Sequence, residues 1–249
     1  MSTIRAVAGG ASVVAVVALF LLYNPWLVPP DSVTPALTLI FWIAAIVLLG
    51  ALYGGRNEPG AEVVEVEGPR FTRFLFGNTR AGLFWLPIRV FLGLEWLLAG
   101  YEKLTGKGWI DGGSALLGYW KFAVSIPQTG RPPISYDWYR SFLQFLIDHN
   151  SQGWFAWLIT VGEIAVGLGL IVGALCGVAA FFGATMNMSY MLAGSASTNP
   201  VMFALAIGVM LAWRIAGYYG VDRYLLPLLG TPRRPPETVS ATPAAAPTS

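Results

Sequence analysis

Two glutamates stand near the middle of apolar runs, Glu95 within Leu83 to Leu104 and Glu163 within Gly153 to Leu175. An ionised carboxylate at bilayer depth is expensive, so each marks either a functional site or a deliberately paired polar core. Proton transfer is the chemistry open to such a group, because a poorly solvated carboxyl holds its proton to higher pH and can act as a general acid. The structural alternative pairs one or both with Arg89 or Arg214 and locks helices together. Around Glu95 the polar residues follow a helical pattern. Arg89, Trp96 and Lys103 recur every seven residues on one stripe, and Glu95 and Glu102 form an adjacent one. Lys103 then stands about 12 Å outward of Glu95, and the stripe reads as a polar track from the outer mouth to the midplane. Gly93 and Gly100 share the same spacing, and Gly162, Gly167 and Gly169 surround Glu163, so a neighbouring helix can come close at both glutamates. Asn187 falls near the centre of a later apolar run, placed to hydrogen-bond either glutamate or to glue helices together.

The elements that must carry these residues are membrane spans. The 249-residue chain is 55% hydrophobic and only 11% charged, against about 25% charged in soluble domains, and its mean hydropathy is +0.61. A span needs ~20 apolar residues. Six segments qualify: Gly10 to Val28, Pro35 to Gly54, Leu83 to Leu104, Gly153 to Leu175, Gly177 to Gly194 and Thr198 to Tyr219. These predict an all-α, multi-pass protein of the cell membrane with the lipid bilayer as its main partner. Nothing in the charge pattern suggests nucleic acid. Arg5 precedes the first run, but the run is too long for a signal-peptide core and Pro29-Pro30-Asp31-Ser32 offers no small-x-small cleavage site, so it reads as a retained helix. Arg56, Arg70, Arg73 and Arg80 lie in the Gly55 to Gly82 connection, and Arg223, Arg233 and Arg234 follow the last span. With six spans these regions share a side with Arg5, which predicts cytoplasmic termini.

Residue counts exclude several chemistries. One cysteine, Cys176, allows neither an internal disulfide nor a Cys-x-x-Cys pair, and at its tight turn it reads as a small buried apolar residue. One histidine, His149, excludes bis-His haem and suits the C-terminal cap of an outer helix. No spacing suggests a metal site, an iron–sulfur cluster or a covalently bound cofactor.

The expected organisation has four parts. Residues 1–54 form a transmembrane hairpin. Residues 55–82 form a cytoplasmic linker in which Glu62 to Glu67 alternates like a short strand but reads better as exposed chain. Phe71, Phe74, Leu75 and Phe76 with Arg70 and Arg73 then suggest an interfacial helix, its apolar side in lipid. Residues 83–230 form a four-helix bundle with an outer cap over 105–152. In that cap Ser114 to Val124 and Tyr136 to Ile147 are helical, Gly130-Arg131-Pro132-Pro133 breaks between them, and Trp109, Tyr119, Trp120, Tyr136, Trp138 and Tyr139 suit an aromatic belt. Residues 231–249, rich in Pro, Ala, Thr and Ser, are expected to be disordered.

Several motifs resemble a known family. Arg89-x3-Gly93, Gly100-x2-Lys103-Leu104, Glu163 with Gly167 and Gly169, Asn187 before Ala193-Gly194 and Asn199-Pro200, then Ala212-Trp213-Arg214 through Gly217-Tyr218-Tyr219-Gly220-x-Asp222-Arg223, resemble the DoxX family. Within it they most resemble the DoxD type, the membrane subunit of thiosulfate:quinone oxidoreductase. The resemblance spans Phe84 to Leu229 and implies a four-helix bundle, to which the first two spans are an addition. It further implies oxidation of two thiosulfates to tetrathionate with two electrons passed to membrane quinone as co-substrate. A small DoxA-like subunit, or a larger membrane redox complex, is the implied partner. On this reading Glu95 and Glu163 are catalytic. The outer cations Lys103, Lys107, Lys121 and Arg131 hold the thiosulfate dianion, and Arg89, Phe91, Trp96 and Asn187 meet the quinone.

A different class is a non-enzymatic scaffold or assembly subunit of a membrane redox or respiratory complex. There the glutamates are ion-pair partners and the outer cations face a protein. A transporter is disfavoured, because no internal repeat relates the two halves.

Overall fold

The computed structural model describes residues 3–23, 34–56, 62–231 and 233. The Pro29 to Ser32 segment and most of the expected disordered tail lie outside them. Among the described residues there are ten α-helices and no strand. They are α1 (Thr3–Tyr23), α2 (Thr34–Gly54), α3 (Arg70–Gly77), α4 (Gly82–Thr105), α5 (Ser114–Val124), α6 (Asp137–Asp148), α7 (Gln152–Val172), α8 (Cys176–Leu192), α9 (Asn199–Leu211) and α10 (Asp222–Leu228). The architecture is all-α and of membrane type.

Four helices, α1, α2, α4 and α7, are long and apolar enough to cross a bilayer. The sequence led us to expect six. Helix α8 has 17 residues and α9 has 13, and at 1.5 Å per residue α9 covers about 20 Å of a ~30 Å hydrocarbon layer. Past Leu211 the chain continues through buried Ala212, Ile215 and Ala216 in tight turns, with Ile215 N donating to Ala212 O at 2.8 Å and Tyr218 N to Ile215 O at 3.0 Å. The helix stops because this segment must wind around the inner ends of its neighbours. Trp213 lies over Gly177 of α8, and the Ile215 carbonyl lies against Gly82 of α4.

The tightest crossing joins α4 to α7, and glycine makes it possible. A β-carbon on Gly167 would stand 2.7 Å from Leu97 N and 2.9 Å from the Gly93 carbonyl; one on Gly100 would stand 3.0 Å from Ile164 N. Backbone meets backbone here, as the spacing of Gly93, Gly100 and Gly167 predicts.

Helices α1 and α2 pair with each other and dock on α4. Pro87 inside α4 has no N–H, so the carbonyl four residues earlier, Leu83 O, loses its helical donor. Ser12 of α1, 4% exposed, supplies one instead, its hydroxyl donating to Leu83 O at 3.3 Å. In lipid every backbone polar group must find a partner, and here the added hairpin provides it.

The linker is less free than expected. Val63 bridges Asn78, Val64 N donates to Gly77 O at 2.7 Å, and Glu62 and Thr79 exchange backbone and hydroxyl bonds. Helix α3 is amphipathic, but its apolar side does not simply lie in lipid. Phe74 is 4% exposed and packs edge-on against Tyr53 of α2 at 5.1 Å, while Phe71 remains exposed. The Leu75 carbonyl accepts from the Trp85 indole at 2.8 Å, which ties α3 to the bundle.

The outer cap forms a second small core. Leu116, Trp120, Ile134, Tyr139, Leu143 and Leu146 pack over Ala156 of α7 and Ala193. Trp138 and Tyr136 stay exposed as belt residues should, whereas Trp120 and Tyr139 are spent on the core. His149 is the C-cap of α6, its ring nitrogen 2.8 Å from the Phe145 carbonyl.

Candidate functional site

At the bundle centre, helices α4, α7 and α8 bring three polar side chains together. Glu163, 0% exposed, forms an ion pair with the Lys103 ammonium, 2.9 Å from one carboxylate oxygen, and accepts from the Tyr190 hydroxyl at 2.7 Å on the other. Lys103 starts near the outer end of α4 but bends back along it, its ammonium donating to the Ala99 carbonyl at 3.4 Å and lying 5.1 Å from the Trp109 ring. The result is a polar chain from the outer end of the bundle to its interior. Glu163 pairs with neither Arg89 nor Arg214, the partners that the sequence suggested.

Glu95 belongs elsewhere. Relative to Gly93 and Gly100, which face α7, it is turned roughly 140–200° around the helix, and it is partly buried. The two glutamates therefore do not share a site. Asn187 is 0% exposed, yet it bonds neither glutamate: its amide nitrogen and oxygen both lack a protein partner. Of the four outer cations, Lys103 alone is drawn inside, and Lys107, Lys121 and Arg131 are exposed.

Arg89 and Phe91 are fully buried, Trp96 nearly so. The Arg89 guanidinium donates to the carbonyls of Leu170, Ile171 (2.8 Å) and Tyr219 (2.9 Å). These are the orphan carbonyls at the end of α7 and of the turn segment, so Arg89 acts as a clasp at the inner end. Asp222 completes the lock. Its carboxylate accepts from Leu175 N at 2.6 Å and Cys176 N at 2.9 Å, capping α8, while its own N–H donates to Gly173 O at 2.8 Å. Gly173 ends α7 in the left-handed region, and Leu175 is held there too at φ 48, a conformation costly for a bulky side chain and supported by the Asp222 bond. The Gly217 to Arg223 motif is thus a structural fastening. Arg214 likewise bonds backbone, the Glu65 carbonyl at 2.9 Å.

Beside the polar chain lies a cavity of about 420 Å³ between the cap helices and α7 and α8. Its wall is largely apolar, with Tyr119, Tyr139, Phe142, Phe155, Phe182 and Tyr190 among the lining residues. Tyr139 donates to Ser189 O at 2.9 Å and pins the cap to α8. Burial pushes the Tyr119 and Tyr139 phenols above their ordinary range, so this wall stays uncharged. Arg89, Phe91, Trp96 and Asn187, which the family resemblance assigned to quinone, do not line this cavity. Tyr190 does, and sequence reasoning missed it. The available signal was that it follows Gly183 and Asn187 on one face of α8. No cluster of His, Cys, Asp and Glu among the described residues could hold a metal ion.

These features define a multi-pass, all-α membrane protein whose interior holds a buried ion pair next to an apolar cavity. Residues 84–196 match the DoxX family model. That match ends before the Asn199-Pro200 and Gly217 to Arg223 motifs. No curated protein and no solved structure matches the chain.

Proposed function

We propose that this protein is the membrane subunit of a thiosulfate:quinone oxidoreductase, taking the quinone ring in the apolar cavity and its protons through Lys103, Glu163 and Tyr190. The observation that carries this reading is Tyr190, which lines the cavity with its ring while its hydroxyl donates to Glu163. A volume of about 420 Å³ lies within the range of small-molecule sites, and apolar walls with few polar groups are their usual lining. Quinone accepts two electrons from two thiosulfates and takes up two protons; a hydroxyl backed by a carboxyl and an ammonium is a suitable proton route. Because Lys103 is engaged with Glu163, the thiosulfate dianion falls to Lys107, Lys121 and Arg131. A DoxA-like subunit or larger redox complex would complete the enzyme.

The test is quinol formation by the purified protein on addition of thiosulfate, with and without co-purifying subunits. Tyr190→Phe keeps the ring but removes one donor from buried Glu163, so it should cost about 1–3 kcal/mol of stability and, in the folded protein, lower turnover by the ~10²–10⁴-fold expected for a missing general acid. If neither preparation forms quinol, the scaffold reading replaces this one.

We further propose cytoplasmic termini, on the distribution of arginines. Ile4 and the Arg80 guanidinium both lie against Gly55, so the first helix begins at the arginine-rich end of the bundle. A cysteine introduced at exposed Ser125 should react with an impermeant maleimide in intact cells; protection of that site until lysis would invert the topology.

A further inference from the structure

The seam between α4 and α8 contains polar atoms that the redox reading does not use. Trp96 is 3% exposed, and its indole N–H has no protein partner. Asn187, 0% exposed, leaves an amide that can form four hydrogen bonds without any from the protein. Such orphaned groups are rare in native interiors and call for an explanation. Gly183 supplies the third observation. A β-carbon there would stand 2.8 Å from the indole nitrogen and 3.3 Å from a Val166 methyl, so only glycine lets the unpaired N–H come this close to α8, and any side chain at 183 would press on it. Asn187 follows Gly183 by one helical turn on the same face, about 6 Å outward. Tyr190, already bonded to Glu163, lies three residues further on.

We infer that this seam is a hydration site, in which the Trp96 indole and the Asn187 amide hold one or two water molecules beside Gly183. The donor set decides the ligand class. One N–H donor and an amide that both gives and accepts suit a neutral molecule that does the same. Lys103 and Glu163, beyond Tyr190, are already paired with each other, and neither Trp96 nor Asn187 carries a charge to hold an ion. Closely packed small residues on the same helix, Ala180 at 0% and Ala184 at 6% exposed, leave no room for an organic ligand. A buried water making two to four bonds fits. The hydrogen-bonded path then runs from Lys103 through Glu163 and Tyr190 to Asn187 and Trp96, past the bundle centre. This inference stands whether or not the protein reduces quinone.

Brief X-ray radiolysis of the full chain in ¹⁸O-labelled water tests it, because hydroxyl radicals formed from a bound water label the side chains that hold it. Trp85 is the control: it is 5% exposed and its indole is satisfied by the Leu75 carbonyl. Trp96 should take up label several-fold faster than Trp85, and Gly183→Ala should bring the two to the same rate. Asn187→Leu, which removes the amide without adding bulk at the glycine, serves if Gly183→Ala fails to fold and should have the same effect. Equal labelling of Trp96 and Trp85 in the unaltered protein would show a dry seam and overturn the inference. So would undiminished Trp96 labelling in folded Asn187→Leu.

Discussion

Lys103→Met should destabilise the protein by about 3–5 kcal/mol, the usual cost of removing one partner of a buried ion pair, and adding Glu163→Gln should restore most of that loss. The side chains are 16% and 1% exposed, so solvent screens the pair little. With the ammonium gone, Glu163 keeps only the Tyr190 hydroxyl as a partner. The double variant has no buried charge, and methionine fills the volume of the lysine stem. Thermal unfolding of the four proteins in one detergent forms a complete cycle. A Lys103→Met variant as stable as the parent would mean that the pair is not formed in the membrane. Loss of activity in the stable double variant would separate the chemistry of the pair from its architectural role.

Arg89 variants should be affected as strongly, for a different reason. Arg89→Met leaves the carbonyls of Leu170, Ile171 and Tyr219 without a donor, at about 1–3 kcal/mol for each buried group left unsatisfied. Arg89→Lys should recover only part of this, because an ammonium on a flexible stem lacks the planar fork that reaches two segments at once. Cys176, fully buried next to the Asp222 cap, reports the outcome. Its alkylation should speed up in both variants, and more in Met than in Lys. If Cys176 stays protected and unfolding is unchanged, the clasp contributes nothing.

Periodicity made much of the fold legible. Glycines seven residues apart located the α4 and α7 crossing, and the cap helix Ser114–Val124 has the limits expected from composition and its flanking glycine. The place of His149 followed from its neighbours. What escaped depends on relationships between segments far apart in the chain. Lys103 has a long stem that can point outward or inward, and only the register of α4 against α7 decides that it reaches Glu163. Arg89 read as a ligand-binding cation because its true partners, backbone carbonyls, look the same in every sequence. Helix α9 read as a full span because its apolar run continues through turns that are equally buried. Tyr190 was passed over as one aromatic among many; the cavity beside it exists only once the cap has folded over α7 and α8.

The hydrogen bond from Ser12 to Leu83 O bears on how the chain is built during synthesis. The hairpin leaves the ribosome first and waits in the bilayer with a buried hydroxyl to offer; α4 follows with a carbonyl that its own proline has left open. The bond joins an early span to a later one, so the first two helices offer a ready partner to the carbonyl that the third span brings into lipid.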